Sequence, residues 1–518
     1  MPQLPEMVQA LLDPKTYPEA TQQVELVQTQ MSFVFLTDDY VYKVKKPVNL
    51  GYLDYTTMDN RRFFCQREVE LNRRLCPDVY LGVVTITGDR EDTVVNGQGK
   101  VIDYAVKMRR LPRTAMMDML LSNNQISAQM VKDVAQKLVE FHRKAATNAT
   151  ISAFGQLDAI TQNTEENFTQ AEKYIGNTIS REDYQRIRVY TDDFIWQNVS
   201  LFHKRVQDGR IRDCHGDLHA AHICFTNGIC IYDCIEFNDR FRYCDVASEV
   251  AFLAMDLDHY GRADLSRIFV GAYIDQSHDE ELLKLLKCYK CYRAYVRGKV
   301  ESFKLDDPYI TEAEKRQTLA VATGYFDLAG SYLRSKPMLL ITTGLVGTGK
   351  TALAQALAKS LGLVVISSDV TRKELAGIPL TEHRFEELDT GLYSAEFSRM
   401  TYDKMFTEAE NVLSDGDSVI IDASFIKKEE RLKVKEVAEK MDADFMIIEC
   451  SLDEASIRQR LAQRLEQGSV SDGRWEILGP QKEQFQPVVE VPAANHVIID
   501  TSESLDKVVN KAKEMIRR

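Results

Sequence analysis

The residues Gly344 to Thr351 read GLVGTGKT and match G-x-x-x-x-G-K-[ST] at every fixed position. Gly344, Gly347 and Gly349 let a backbone curl until consecutive N–H groups, with Leu345, Val346 and Thr348 among them, point at one anion. The helical stretch KTALAQALAKSLG that follows adds partial positive charge at its N-terminus. Lys350 would reach the outer phosphates of a nucleotide, and Thr351 would offer its hydroxyl to Mg²⁺. An apolar strand before the motif and a helix after it supply the context it requires. Three further groups could complete a site. Asp369, in SSDVTRKEL, ends the next strand, on the edge where open α/β sheets bind ligands. A carboxylate there can take a proton from an attacking hydroxyl, and Arg372 can hold an anionic acceptor or steady developing charge; Asp369 as the N-cap of the next helix is the plainer alternative. Asp422, in VIIDASF, fits a Mg²⁺-ordering carboxylate or a strand-end turn. Arg460 and Arg464 share a helix face and suit either a clamp over phosphates or a solvated basic surface.

A second chemical stretch, HGDLHAAHI, runs from His215 to Ile223. Downstream lie ICIYDCIEF, with Asp233, and YCDVASEVAFLAMDL, with Asp245; upstream lie YVYKVK, with Lys43 and Lys45, and CQREVELNRRL, with Glu68. The order Lys, Glu, catalytic Asp, metal Asp is that of kinases. Over about residues 25–330 these segments resemble the aminoglycoside phosphotransferase and choline kinase superfamily, whose loop is H-G-D-x-x-x-x-N. The resemblance implies that Asp217 accepts the acceptor's proton, Asp233 holds Mg²⁺, Lys43 (with Lys45 as same-face runner-up) meets the nucleotide phosphates, Glu68 pairs with that lysine, and Asp245 caps a helix and braces the loop. It also implies that QTQMS covers the nucleotide through Thr29 or Ser32. His222 stands where the superfamily has Asn. An amide oxygen suits a hard ion, whereas imidazole suits softer ones. Three readings stand open: His222 bonds metal-held waters while Asp233 and Glu236 ligate; the site takes an ion such as Mn²⁺; or the domain only binds nucleotide or senses a ligand. A zinc site of His215, His219, His222, Cys214 and Cys224 is disfavoured, because the loop pattern already explains the spacing.

GLVGTGKT, SSDVTRKEL, VIIDASF and RQRLAQR together resemble, over about residues 337–518, the P-loop kinases that include gluconate kinase-like proteins, the kinase half of polynucleotide kinases and zeta-toxin-like proteins. That likeness implies phosphoryl transfer from ATP to a hydroxyl, with Asp369 as base and Arg372 on the acceptor. The order of the two halves resembles known bacterial fusions.

Several elements must position these groups. Short β-branched and aromatic runs (VELVQTQ, SFVFLTDD, YVYKVKKPV, LGVVTIT, VIDYAVKMRRLP) predict a β-rich lobe over about residues 20–112, with a helix after Asp59 as N-cap. Helical periodicity dominates about 113–336, interrupted by a hairpin turning at Asn227 and Gly228. After Pro337, five apolar runs alternate with helical segments, the pattern of buried parallel strands. The expected fold is therefore α+β and α/β: a protein-kinase-like bilobal domain over 1–336, then a P-loop α/β domain over 337–518 with a five-stranded, mostly parallel sheet.

A chain of 518 residues with net charge −13 does not favour broad nucleic-acid binding. No apolar run reaches membrane-spanning length and the N-terminus shows no signal peptide, so a cytoplasmic location is expected. The ten cysteines are expected to be buried, reduced thiols. The expected activity is ATP- and Mg²⁺-dependent transfer to a small hydroxylated molecule, from two nucleotide sites. MDLDH and Asp239 hint at a cationic acceptor. The alternatives are a first domain that only regulates the second, and a P-loop domain that phosphorylates nucleic-acid 5′-hydroxyls.

Overall fold

Alternation in SFVFL and YVYKVK sends one set of side chains to each face of a sheet. In the computed structural model, which describes residues 4–88, 93–307, 310–334, 336–380, 382, 390–467 and 473–517, the chain divides into two compact units. The first comprises Met1–Leu257 with Leu265–Ala329, the second Asp258–Asp264 with Gly330–Arg518.

The first unit opens with β1 (Glu25–Gln28), β2 (Ser32–Leu36), β3 (Tyr40–Lys45), helix α1 (Met58–Asn72), β4 (Tyr80–Thr87), β5 (Val94–Val95) and β6 (Val101–Arg109). The strands form an antiparallel sheet in the order β1-β2-β3-β6-β4-β5. Phe33, Phe35, Tyr42 and Val44 pack with Val8 and Leu11 on one face. The same alternation puts Lys43 and Lys45 together on the other. The cap of α1 is Thr57, whose hydroxyl accepts from Asn60 N–H, not Asp59, which sits in the first turn.

Next come α2 (Ala128–Lys144), α3 (Leu157–Ala171), β7 (Ile211–Asp213), β8 (Ile223–Thr226), β9 (Gly228–Ile231), β10 (Tyr243–Asp245), α4 (Val246–His259) and α5 (Leu282–Phe303). β8 and β9 form the hairpin at Asn227, and β10 pairs with β7, so the stretch from Cys214 to His222 is held between two small ribbons. α4 is apolar nearly all round and is buried accordingly, with Val250, Phe252 and Leu253 all sealed from solvent. Asp245 caps it by accepting from Ala247 N–H at 2.8 Å and forks onto the buried Arg205 at 2.9 and 2.6 Å. Arg205 also meets Asp279 at 2.5 Å.

The thiols do not all stay free. Cys76, after α1, and Cys230, on β9, lie 154 residues apart in sequence with Cα atoms 4.8 Å apart, and form a disulfide. Folding alone brings them together, so no local spacing announced the pair. The other eight cysteines are free, seven of them buried.

The second unit contains β11 (Met338–Thr343), α6 (Lys350–Leu361), β12 (Val364–Ser367), α7 (Ser368–Ala376), α8 (Ala395–Ser414), β13 (Val419–Asp422), β14 (Asp444–Ser451), α9 (Glu454–Gln467) and β15 (His496–Asp500). Its sheet is wholly parallel, in the order β12-β13-β11-β14-β15. β11 is buried along its whole length because helices cover both faces: Leu339 and Ile341 pack towards Met405, Leu340 towards Leu353 and Leu357. Parallel register brings the C-terminal ends of β11, β12 and β13 to one edge, where Ser367 pairs with Asp422. Among the described residues no helix is long and apolar enough to cross a membrane.

Breaking a buried charge cluster costs more than breaking a surface one. Arg205→Met should lower the unfolding free energy, read by urea denaturation and circular dichroism, by about 3–5 kcal/mol, because Asp245 is left buried without its cation and Asp279 keeps only Arg210 at 3.6 Å; a loss under about 1 kcal/mol would count against this cluster as a structural tie.

Candidate functional sites in the two units

In the first unit, Glu68 reaches from α1 to both lysines of β3: its two oxygens lie 3.0 Å from Lys43 Nζ and 2.8 Å from Lys45 Nζ. Lys43 continues to Asp233 Oδ1 at 2.6 Å. Lys45 turns inward to Glu236, which also accepts from Tyr55 Oη at 2.6 Å. The lysines divide the work by depth: the side chain of Lys43 is 16% exposed and lines the cavity, while that of Lys45 is 1% exposed. Burial opposes charge on both ammoniums, but the carboxylates overcome it and hold both well above the usual lysine range. Glu68 is fully buried, not a surface residue of a charged helix. Lys45 Nζ and Tyr55 Oη both donate to Glu236 Oε1.

The stretch from Cys214 to His222 is braced by a residue the sequence reading passed over. Glu249, one turn into α4, accepts from the N–H groups of His215 and Gly216, each at 2.7 Å. His142 Nε2 donates to its other oxygen at 2.7 Å. Burial works against this carboxylate, but His142 and the Gly216 N–H hold it down to about 2. Asp256 accepts from Ala220 N–H at 2.8 Å, and Arg293 donates to Gly216 O at 3.3 Å. Gly216 has φ +89°, and a Cβ there would meet Phe241 O at 2.9 Å, so only glycine fits. Asp245, expected to brace this loop, instead anchors Arg205 and α4. The only sequence signal for Glu249 was a carboxylate inside an apolar helix.

Asp217, a third exposed, faces His219 Nε2 and His222 Nδ1, each 3.6 Å from its Oδ2. Burial would raise its pKa, but His219, His222 and Arg297 hold it well below the usual range. His222 Nδ1 lies 2.9 Å from Asp217 O; a carbonyl only accepts, so Nδ1 carries the proton. Its Nε2 lone pair then faces Asp233 Oδ2 at 3.6 Å. Burial lowers the His222 pKa to about 4, so the ring is neutral near pH 7. Asp233 has φ +63°, unusual for a residue with a side chain, and its N–H donates to Tyr80 Oη at 3.1 Å.

Two acceptors aimed at each other across 3.6 Å suit a cation between them. Asp217, His219 and His222 also bring three candidate ligand atoms within 4.8 Å of one another. This set of carboxylates and imidazoles fits a divalent ion, and fits an ion softer than Mg²⁺, such as Mn²⁺, better than Mg²⁺ itself. The zinc set imagined from the sequence is not assembled: Cys224 packs in an apolar cluster with Cys65 and Met116, while Cys214 lies with His142 and Glu249. Lys43, Asp217 and Asp233 line a cavity of about 1000 Å³ that Thr29 and Ser32 also border.

In the second unit, Gly344, Gly347 and Gly349 take φ of +135°, +80° and +88°. A Cβ on Gly344 would lie 2.5 Å from Cys450 O. Thr348 Oγ1 donates to Leu345 O at 2.8 Å, and Thr501 Oγ1 to Thr348 O at 2.7 Å. Val346 is buried against Ile457 and Leu461, and its N–H donates to Gln481 Oε1 at 2.8 Å, so this donor is engaged within the protein. Lys350 Nζ arches over the loop to Gly344 O and Leu345 O at 2.9 and 2.7 Å. Asp422, buried at the end of β13, accepts from Thr342 Oγ1 at 3.2 Å, and the Thr351 hydroxyl acts on its charge. Burial raises its pKa and nearby Asp369 adds to the rise, while Thr351 and Lys350 pull it down. Hydroxyl and carboxylate together are a hard oxygen pair, which fits Mg²⁺.

Asp369 lies in the first turn of α7, whose N-cap position is Ser367, so the cap alternative does not hold. Arg372 is 8% exposed; its Nη1 donates to Leu392 O and Ser398 Oγ at 2.5 and 3.3 Å, and it lies over the Tyr393 ring. It thus clamps the segment before and at the start of α8. Arg460 donates to Thr501 Oγ1 at 3.2 Å and borders Gly349. The side chain of Arg464 lies outside the described residues.

Residues 339–488 match a family model described as "AAA domain". Among solved structures, a gluconokinase from Sinorhizobium meliloti 1021 is 22% identical, covering 36% of this chain and 94% of that one, with a TM-score of 0.25. The APS kinase of Mycobacterium tuberculosis is 16% identical, covering 36% and 100%, with a TM-score of 0.27. An uncharacterized Mycobacterium tuberculosis protein, Rv2004c, is 30% identical over 456 residues, 88% of either chain, a length that runs through both units. The chain belongs to the family of that mycobacterial protein.

Proposed function

We propose that this protein is an ATP-dependent phosphotransferase acting on the hydroxyl of a small molecule, with a nucleotide site in each unit. The observation that carries the reading is the second unit's glycine-lined loop, with Lys350 arched over it and Asp422 buried at the same sheet edge as Asp369. In this reading the loop's N–H groups and Lys350 hold the β- and γ-phosphates. Asp369 accepts the proton of the acceptor hydroxyl. That oxygen bonds the γ-phosphorus as the bond to the β–γ bridging oxygen breaks, and ADP leaves. A magnesium ion held by Thr351 and Asp422 would supply charge neutralisation of the phosphates.

The first unit supports the same chemistry by other means. Lys43, fixed by Glu68, meets phosphate; Asp217, kept ionised by its neighbours, orients the acceptor hydroxyl and receives its proton; Asp233 and the Nε2 of His222 would hold a divalent metal ion. The aminoglycoside-phosphotransferase-like identity of residues 1–336, the P-loop kinase identity of 337–518 and the cytoplasmic location belong to this proposal. A purely regulatory first unit is the second reading, favoured by the neutral His222 in place of an amide. A net charge of −13 speaks against a nucleic-acid acceptor.

Two outcomes follow. Asp369→Asn should lower the kcat of the second unit by about 10²–10⁴-fold while leaving the KM for ATP within about threefold, measured with labelled ATP in an Asp217→Asn background; an unchanged kcat removes Asp369 as base. In a Lys350→Ala background, residual transfer should vanish with Asp217→Asn, and His222→Asn should shift its preference from Mn²⁺ towards Mg²⁺ by about tenfold in kcat/KM. Absence of any Asp217-dependent transfer would leave the regulatory reading standing.

A further inference from the structure

The transferase reading of the first unit, on which this inference rests, leaves its acceptor open, and the cavity wall contributed by α5 narrows the choice. Arg293, Arg297 and Lys299 all line it. Lys299 is only 8% exposed, and its Nζ donates to two amide oxygens, Asn167 Oδ1 at 2.5 Å and Gln170 Oε1 at 2.7 Å. No carboxylate pairs with it among the described residues. The acid beside it, Glu166, is already gripped by both arms of Arg240. Arg293 likewise donates to neutral oxygens, of Ser248 and Gly216. Arg297 meets Glu301 at 3.3 Å, yet its Nε has no hydrogen-bond partner, and its charge acts on Asp217. Asn163 Oδ1, in the same wall, is also unpartnered.

Taking a cation out of water costs several kcal/mol unless an anion meets it. Burial accordingly pushes the Lys299 ammonium down to about 8. Of the carboxylates acting on these cations, Glu301 pairs with Arg297, Glu166 is held by Arg240, and Asp217 and Asp256 act on Arg297, so Lys299 is the cation in this wall with no carboxylate of its own. The acids that hinted at a cationic acceptor are committed elsewhere: Asp239 pairs with Arg242 at 2.5 Å, and Asp256 holds Ala220 N–H and Tyr325 Oη. We infer that the first unit takes a small hydroxylated acceptor bearing a carboxylate or a phosphate, with Lys299 and Arg297 holding the anionic group and Asp217 facing the hydroxyl.

The test uses the full chain carrying Lys350→Ala and saturated with ADP. It is titrated calorimetrically with probes paired by charge: D-gluconate beside D-glucitol, D-glucose 6-phosphate beside D-glucose, and D-glucosamine as the cationic arm. At least one anionic probe should bind tenfold or more tightly than its neutral mate, and the responding pair separates carboxylate from phosphate. Lys299→Met should erase that preference while leaving ADP affinity and circular dichroism unchanged. Equal affinity within both pairs, tighter binding of glucosamine, or a preference indifferent to Lys299→Met overturns the proposal. If Lys299→Met does not fold, Arg297→Gln carries the same comparison. Transfer of labelled phosphate to the same probes is read separately. Anion binding without transfer leaves the anion site and removes the transferase; transfer to glucose or glucosamine in preference to the anions does the reverse.

Discussion

A fully buried carboxylate stays ionised only beside a cation, and Glu68 has two. Desolvating each ion costs several kcal/mol, while two opposite charges 4 Å apart regain about 4 kcal/mol at an effective dielectric of 20. One lysine would leave the balance marginal. With Lys45 sealed behind and Lys43 in front, the carboxylate is secured from the rear, and Lys43 is free to extend to Asp233. Sheet, helix and Asp233 are thereby tied through one line of charge. Strand periodicity makes this possible, because positions two apart share a face.

In the proposed function the two units would hold phosphate with different parts. The second uses backbone: three left-handed glycines, a helix start and one arching ammonium. The first has no such loop, and the proposed grip falls to an ion-paired side chain. Its precision comes from Glu249, which fixes two successive N–H groups of the histidine-rich loop and is itself fixed by His142. Asp217 and His222 are then held at their stations by a buried acid more than twenty-five residues away.

Much of the second unit was legible because its signals are local: apolar strands, a loop motif and the helix that follows are contiguous in sequence. So were the alternation in β3 and the hairpin at Asn227. What escaped was non-local. Glu249, Gln481 and Thr501 act through tertiary contacts with segments far off in the chain. Glu236, read as a ligand beside Asp233, also accepts from Lys45 and Tyr55, which sequence spacing did not announce. Arg372 was read as meeting an acceptor; its contacts through Nη1 to Leu392 and Ser398 were not foreseen, while its Nε has no hydrogen-bond partner among the described residues. Long cations and acids reach several angstroms, and sequence spacing does not say where their tips end.

The bond between Cys76 and Cys230 has a mechanical meaning. One end follows the helix that carries Glu68; the other sits three residues before Asp233. It ties the segment after α1 to β9 across 154 residues of chain, so these two pieces of the first unit cannot part unless that bond is reduced.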